Sequence, residues 1–167
     1  MLPNEVAGPP GTYFELKKTK LTKTIKEACS EFLSGPDWDK NIEVIDELNR
    51  LCGLLKRTLQ KGERGMMKYA GEPYLSGFVI EELRKMLKTK NPEIEILALT
   101  LVEGVIKNCP SSHGAIAQPA FMRYLVKVAL DQRKDGFWKG AAKKLFFFLF
   151  FWKINVDKNE LMFSIAD

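Results

Sequence analysis

The stretch Asn91–Pro110, NPEIEILALTLVEGVIKNCP, constrains the fold more than any other in this chain. Asn91 is a side-chain cap, Pro92 at the first helical position sacrifices no needed N–H, and Glu93 and Glu95 sit where the helix dipole favours negative charge. Ile94, Ile96, Leu97, Leu99, Leu101, Val102, Val105 and Ile106 then cover well over half of the helix circumference. A helix apolar on most sides needs neighbours on several sides. Lys107 suits the last turn, and Pro110 ends the helix. The segment is therefore expected at the centre of a helical stack.

The rest of the chain supplies the neighbours. With 167 residues, 46% hydrophobic and 28% charged, it is long enough for one domain with a substantial core. Met1 to Gly11 is rich in proline and glycine and reads, with the residues up to 16, as a flexible lead-in. Leu21, Ile25, Ala28, Cys29, Phe32 and Leu33 recur at three- and four-residue intervals and predict an amphipathic helix from Lys17 to Leu33. Its outer face carries Lys17, Lys18, Lys20, Lys23 and Lys26, which read as a solvated face or as a contact for an anionic surface. After Ser34-Gly35-Pro36, Asp37 caps a second helix. Its inner stripe is expected from Ile42, Ile45, Leu48 and Cys52, with Trp38 in the first turn, where full enclosure is rare. That helix is expected to fade near Leu59 into a basic stretch punctuated by glycine, from about 50 to 72. Pro73–Lys88 is the next helix, with Leu75, Phe78, Val79, Leu83, Met86 and Leu87 inward. SSHGAIAQ after Pro110 is expected to make one or two helical turns. Pro119 opens another helix with Phe121, Leu125, Val128 and Ala129 inward, Phe137 to Ile154 a buried one, and Asp157 a final short piece. Seven or eight helices with no convincing strand predict an all-α stack or superhelix.

Signals for chemistry are sparse. Three widely spaced cysteines and a single histidine argue against a disulfide framework or a Cys/His metal site. No cofactor fingerprint occurs: GERGMMK lacks the GxxxxGK[ST] spacing of a phosphate loop, and no GxSxG, HExxH or EF-hand loop is present. A Cys109–His113 pair lacks an orienting third group, so His113 is expected to cap or pack locally. No catalytic residue and no cofactor is expected. The longest apolar run, Leu145 to Trp152, is eight residues, against roughly 20 for a spanning helix. The first residues lack the basic start and apolar run of a secretory leader. The net charge of +5 permits acidic partners. Nucleic acid is not expected, because the aromatics gather near the C-terminus and the basic residues in the first third, whereas a stacking platform interleaves them.

Several segments, taken in order, resemble a known family. GPDWDKNIEVIDELN (Gly35 to Asn49) looks like the second-helix signature of VHS domains, and NPEIEILALTLVEGVIKNCP is similar to their fourth helix with its Asn-Cys end. His113 falls one residue out of step with the family's Phe-His. Phe121 to Val128 and KKLFFFLFFW resemble the sixth and seventh helices. The resemblance covers roughly Leu21 to Met162. It departs from the pattern in the longer basic segment between Asn49 and Gly77 and in a shortened eighth helix. It implies a right-handed superhelix of about eight helices over residues 17–167, of the ENTH/VHS superfamily. The implied role is a non-catalytic trafficking adaptor, cytoplasmic and peripheral on endosomal or Golgi membranes. It further implies weak ubiquitin binding, for which Trp38 and Ile42 are the apolar contacts by position. A second implied activity is recognition of acidic-dileucine sorting peptides, for which Arg123 and Lys127 lie one helical turn apart. The competing reading is an ENTH- or ANTH-like module on anionic phosphoinositide membranes, using Lys56, Arg57, Lys61, Arg64 and Lys68. The superfamily's polymerase-tail-binding members mark a nuclear alternative.

Overall fold

The start of the central helix follows from the sequence Asn91-Pro92-Glu93: the Asn91 side chain accepts a hydrogen bond from the Glu93 N–H at 3.0 Å, with Pro92 in the first turn. The structure, a computed structural model, describes residues 10–60 and 72–130. These form α1 (Pro10–Ala28), α2 (Trp38–Gln60), α3 (Glu72–Leu87), α4 (Pro92–Asn108), a 3-10 turn (Pro110–Ser112), α5 (His113–Ile116) and α6 (Pro119–Leu130). No strand occurs among the described residues. The chain divides into two units, one up to Ala115 and one from Ile116 onward. The expected helix from Phe137 and the final piece after Asp157 lie outside the described residues.

In the first unit, α4 packs against α1, α2 and α3. Leu97, Ala98, Leu99, Leu101, Val102, Val105 and Ile106 are buried, as its nearly continuous apolar surface requires. Glu95 is buried as well, near the helix N-terminus where a carboxylate is favoured. A short link joins α3 to α4. In it Lys90 adopts φ of 60°, a left-handed conformation that turns the chain after α3.

Two expectations are corrected. α1 begins at Pro10, so the later part of the expected lead-in is helical. Phe14, fully buried, extends the stripe of Leu21, Ile25 and Ala28 one two-turn repeat backward. Pro10 opens the helix because the first turn needs no N–H there. In α2 the buried stripe is Val44, Leu48, Leu51, Cys52 and Leu55, not one through Ile42 and Ile45. The Val44 stripe wins because it offers apolar side chains over more turns.

α1 and α2 run antiparallel and are joined by ion pairs. Lys17 meets Glu47 at 3.3 Å, Lys20 meets Glu43 at 3.0 Å and Glu27 meets Lys40 at 2.9 Å. Arg50 grips both oxygens of Glu47 and also donates to the Tyr13 hydroxyl at 3.0 Å. Most of the lysine face of α1 is therefore turned toward carboxylates of the same molecule. The hydrogen bonds from Arg50, Lys20 and Lys40 hold Glu47, Glu43 and Glu27 below the usual carboxylate range. Arg84 does the same for Glu81. Because these carboxyls are depressed in the folded state, their stabilisation is complete well above the unfolded value of about 4.3. It is lost as pH falls through the lower folded values. The thermal midpoint should fall steadily between about pH 5 and pH 3. Molar salt should flatten the dependence, because all of these pairs except those of Glu47 are largely exposed. A midpoint constant over that range would refute the role of the pairs.

The second unit is described by α6. Gln118 accepts from the backbone N–H groups of Phe121 and Met122 and so opens the helix, and Phe121 and Leu125 are buried along one side.

Candidate functional site

The Asp37-Trp38-Asp39-Lys40 turn sets the geometry. The Asp37 side chain accepts from the Lys40 N–H at 3.0 Å, an N-cap that fixes the first turn of α2 and aims Trp38 outward. Trp38 is 61% and Ile42 is 53% exposed. Isolated exposed apolar residues are ordinary, but two large ones a helical turn apart form a patch.

The patch continues along a seam with α4. Trp38, Ile42, Ile45 and Asn49 follow each other at helical spacing on α2. Asn49 Nδ2 donates to the Asn108 carbonyl at 2.9 Å. A Cβ on Gly104 would lie 3.1 Å from Ile45 Cδ1, so glycine at 104 makes the notch in which Ile45 rests. The pairings of 45 with 104 and of 49 with 108 show that α2 and α4 run parallel here. α4 borders this seam with exposed Glu103 and Lys107, paired to each other. The result is a firm, slightly apolar ridge with a polar edge, suited to a small apolar patch on a partner. No group of metal-binding residues occurs among the described residues.

The Cys109–His113 pair does not form. The Cys109 thiol faces the Ile45 carbonyl at 3.7 Å, and burial pushes it up to about 12, which suppresses the thiolate a nucleophile requires. His113 Nε2–H donates to the Ile106 carbonyl at 2.7 Å, so the ring closes the end of α4. Cys29 is likewise buried and pushed up to about 12 by burial.

The remaining candidates are scattered. Lys56 and Arg57 are exposed near the end of α2, with Arg57 Nε donating back to the Gly53 carbonyl. Lys61, Arg64 and Lys68 lie outside the described residues. Arg123 and Lys127 are exposed one turn apart on α6, in the second unit. Sequence reading missed the notch at Gly104 and the Asn49–Asn108 hydrogen bond that brace α2 against α4. Gly104 looks like a flaw in an apolar helix, and only its position opposite Ile45 makes it a packing feature.

The chain is similar to several curated proteins. It is 29% identical over 105 residues to TOM1-like protein 9 of Arabidopsis thaliana, covering 62% of this chain and 12% of that protein. TOM1-like protein 1 of the same plant is 28% identical over 109 residues, 65% of this chain and 22% of the relative. A class E vacuolar protein-sorting machinery protein of Mycosarcoma maydis is 25% identical over 116 residues, 69% and 16% respectively. The chain thus spans less than a quarter of the length of each of these relatives. No family model matches the chain, and no solved structure matches it. Together with the ordered helix signatures and the all-helical architecture, these relatives support a VHS-type domain.

Proposed function

We propose that this domain is a non-catalytic adaptor module of intracellular vesicle trafficking that recognises ubiquitinated cargo. The observation that carries the reading is the pair Trp38 and Ile42, both exposed and one turn apart on a helix braced against α4. A tryptophan held outward by a capped first turn is the kind of rigid apolar anchor that dominates small interfaces. The vacuolar protein-sorting role in the name of one relative agrees with a place in cargo sorting, on the cytoplasmic face of endosomal or Golgi membranes. Weak binding is the expectation, because the patch is small and its rim is wet.

The membrane reading has less support. Of its five basic residues only Lys56 and Arg57 are described, and the lysines of α1 mostly face glutamates. The sorting-peptide reading has a charged pair in Arg123 and Lys127, while the helices that would complete its pocket lie outside the described residues.

The test is a titration of isotope-labelled ubiquitin with this domain, followed by chemical shifts. Progressive shifts confined to one apolar face of ubiquitin are expected, and Ile42→Asp should abolish them while the domain stays folded. Unchanged ubiquitin spectra with the native domain would end the proposal. Flotation with phosphoinositide vesicles in place of ubiquitin shifts would favour the membrane reading instead.

A further inference from the structure

The acids of α2 are Asp39, Glu43, Asp46 and Glu47, and they are unequally engaged. Glu43 and Glu47 turn toward α1. There Lys20 meets Glu43 at 3.0 Å, Lys17 meets Glu47 at 3.3 Å, and Arg50 grips both Glu47 oxygens. Asp39 and Asp46 lie between that face and the Trp38–Ile42 ridge, and both are exposed. Among the described residues no ammonium or guanidinium lies within ion-pair distance of either. The cations closest to them in sequence are committed elsewhere. Lys40 meets Glu27 at 2.9 Å and Glu43 at 3.5 Å. Arg50, one turn beyond Asp46, is directed to Glu47 and the Tyr13 hydroxyl.

The helix dipole favours an acid in the first turn, which accounts for Asp39. It does not reach Asp46, two turns further on. Asp39, Ile42 and Asp46 follow one another at three- and four-residue intervals, so the two carboxylates bracket Ile42 along the helix, about 10 Å apart by the rise per residue. On the opposite edge of the ridge Glu103 and Lys107 neutralise each other. The ridge therefore has a negative edge on α2 and a balanced edge on α4. In the free domain the two aspartates are solvated. A partner that covers the ridge displaces part of that water, and there an opposite charge is attracted and a like charge repelled.

We infer, resting on the reading of this ridge as a docking surface, that the partner seated on Trp38 and Ile42 carries cationic side chains at the edge of its apolar patch, which meet Asp39 and Asp46. The two aspartates fix orientation and partner choice, while Trp38 and Ile42 supply the apolar contact. A partner whose apolar patch has an acidic edge is turned away by the same pair.

The experiment has two arms, both on the full chain. In the first, isotope-labelled ubiquitin is titrated with the native chain and with the Asp39→Asn, Asp46→Asn double variant, at low and high salt. The variant should bind about three- to tenfold more weakly, and salt should weaken the native chain but not the variant. Both aspartates are exposed, so the variant should keep its thermal midpoint. In the second arm, the labelled chain is titrated with an alanine-based helical peptide that sets lysines about a leucine at the spacing of Asp39 and Asp46 about Ile42, and with its glutamate counterpart. Amide shifts at Asp39, Ile42 and Asp46 are expected with the lysine peptide alone, and only in the native chain. Ubiquitin binding indifferent to both the variant and salt would overturn the inference and leave the ubiquitin reading standing. Where ubiquitin is silent, the peptides decide. Ridge shifts from the lysine peptide, lost in the variant, would uphold the acidic edge while the ubiquitin reading falls. No ridge shifts, or equal shifts from the glutamate peptide, would overturn both.

Discussion

Replacing Leu101 with alanine should lower the unfolding free energy by about 3–4 kcal/mol, a typical cost for a leucine removed from a closed core. Leu101 is fully buried near the middle of α4, and α4 is packed on three other helices. Neighbours held from several directions collapse poorly into the space left behind, which places the cost above the lower end for such changes. Domains of this size are commonly stable by about 5–15 kcal/mol, so the variant should still fold in the cold but melt many degrees lower. Urea unfolding followed by circular dichroism measures it directly. A loss below about 1 kcal/mol would mean that α4 is not the closed centre of the first unit.

Trp38→Ala should have the opposite profile. Most of the side chain is already in water, so stability should change by less than about 0.5 kcal/mol. If the ubiquitin proposal is right, the same change should remove an anchor worth about 2 kcal/mol or more, a loss of roughly thirtyfold in affinity. For a weak interaction this means shifts in labelled ubiquitin too small to fit. Retained ubiquitin binding in a folded Trp38→Ala variant would displace the site from the α2 ridge. A large fall in the melting temperature would instead assign Trp38 to packing of its own helix start.

The comparison of these two residues shows what the amino-acid order makes legible. Leu101 belongs to a run so apolar, and so clearly capped by Asn91 and stopped by Pro110, that its burial follows from local chemistry alone. Trp38 is readable for a similar reason, because Asp37 announces the helix start and a first-turn residue has few neighbours. Ile42 is harder. By spacing it joins Ile45 and Leu48 as readily as Val44 joins Leu48 and Leu51, and one helix cannot state which of two apolar faces its neighbours will cover. Pro9-Pro10-Gly11 obscures the start of α1 in the same way, since chain-breaking residues outweigh a lone Phe14 until the repeat to Leu21 is noticed. The pairs Lys17–Glu47, Lys20–Glu43 and Lys40–Glu27, and the notch at Gly104, depend on the register between helices far apart in sequence. No local pattern encodes them.

The position of α4 also bears on the order in which the first unit assembles. Its contacts with α3 are close in sequence and therefore quick to form, while those with α1 and α2 close long loops. A helix that joins both kinds of contact is a natural nucleus. Substitutions such as Leu101→Ala should therefore slow refolding. Loss of the exposed ion pairs between α1 and α2, as in Glu43→Gln, should mainly hasten unfolding. Stopped-flow chevrons would separate the two arms, and a refolding rate untouched by Leu101→Ala would assign the nucleus to other contacts.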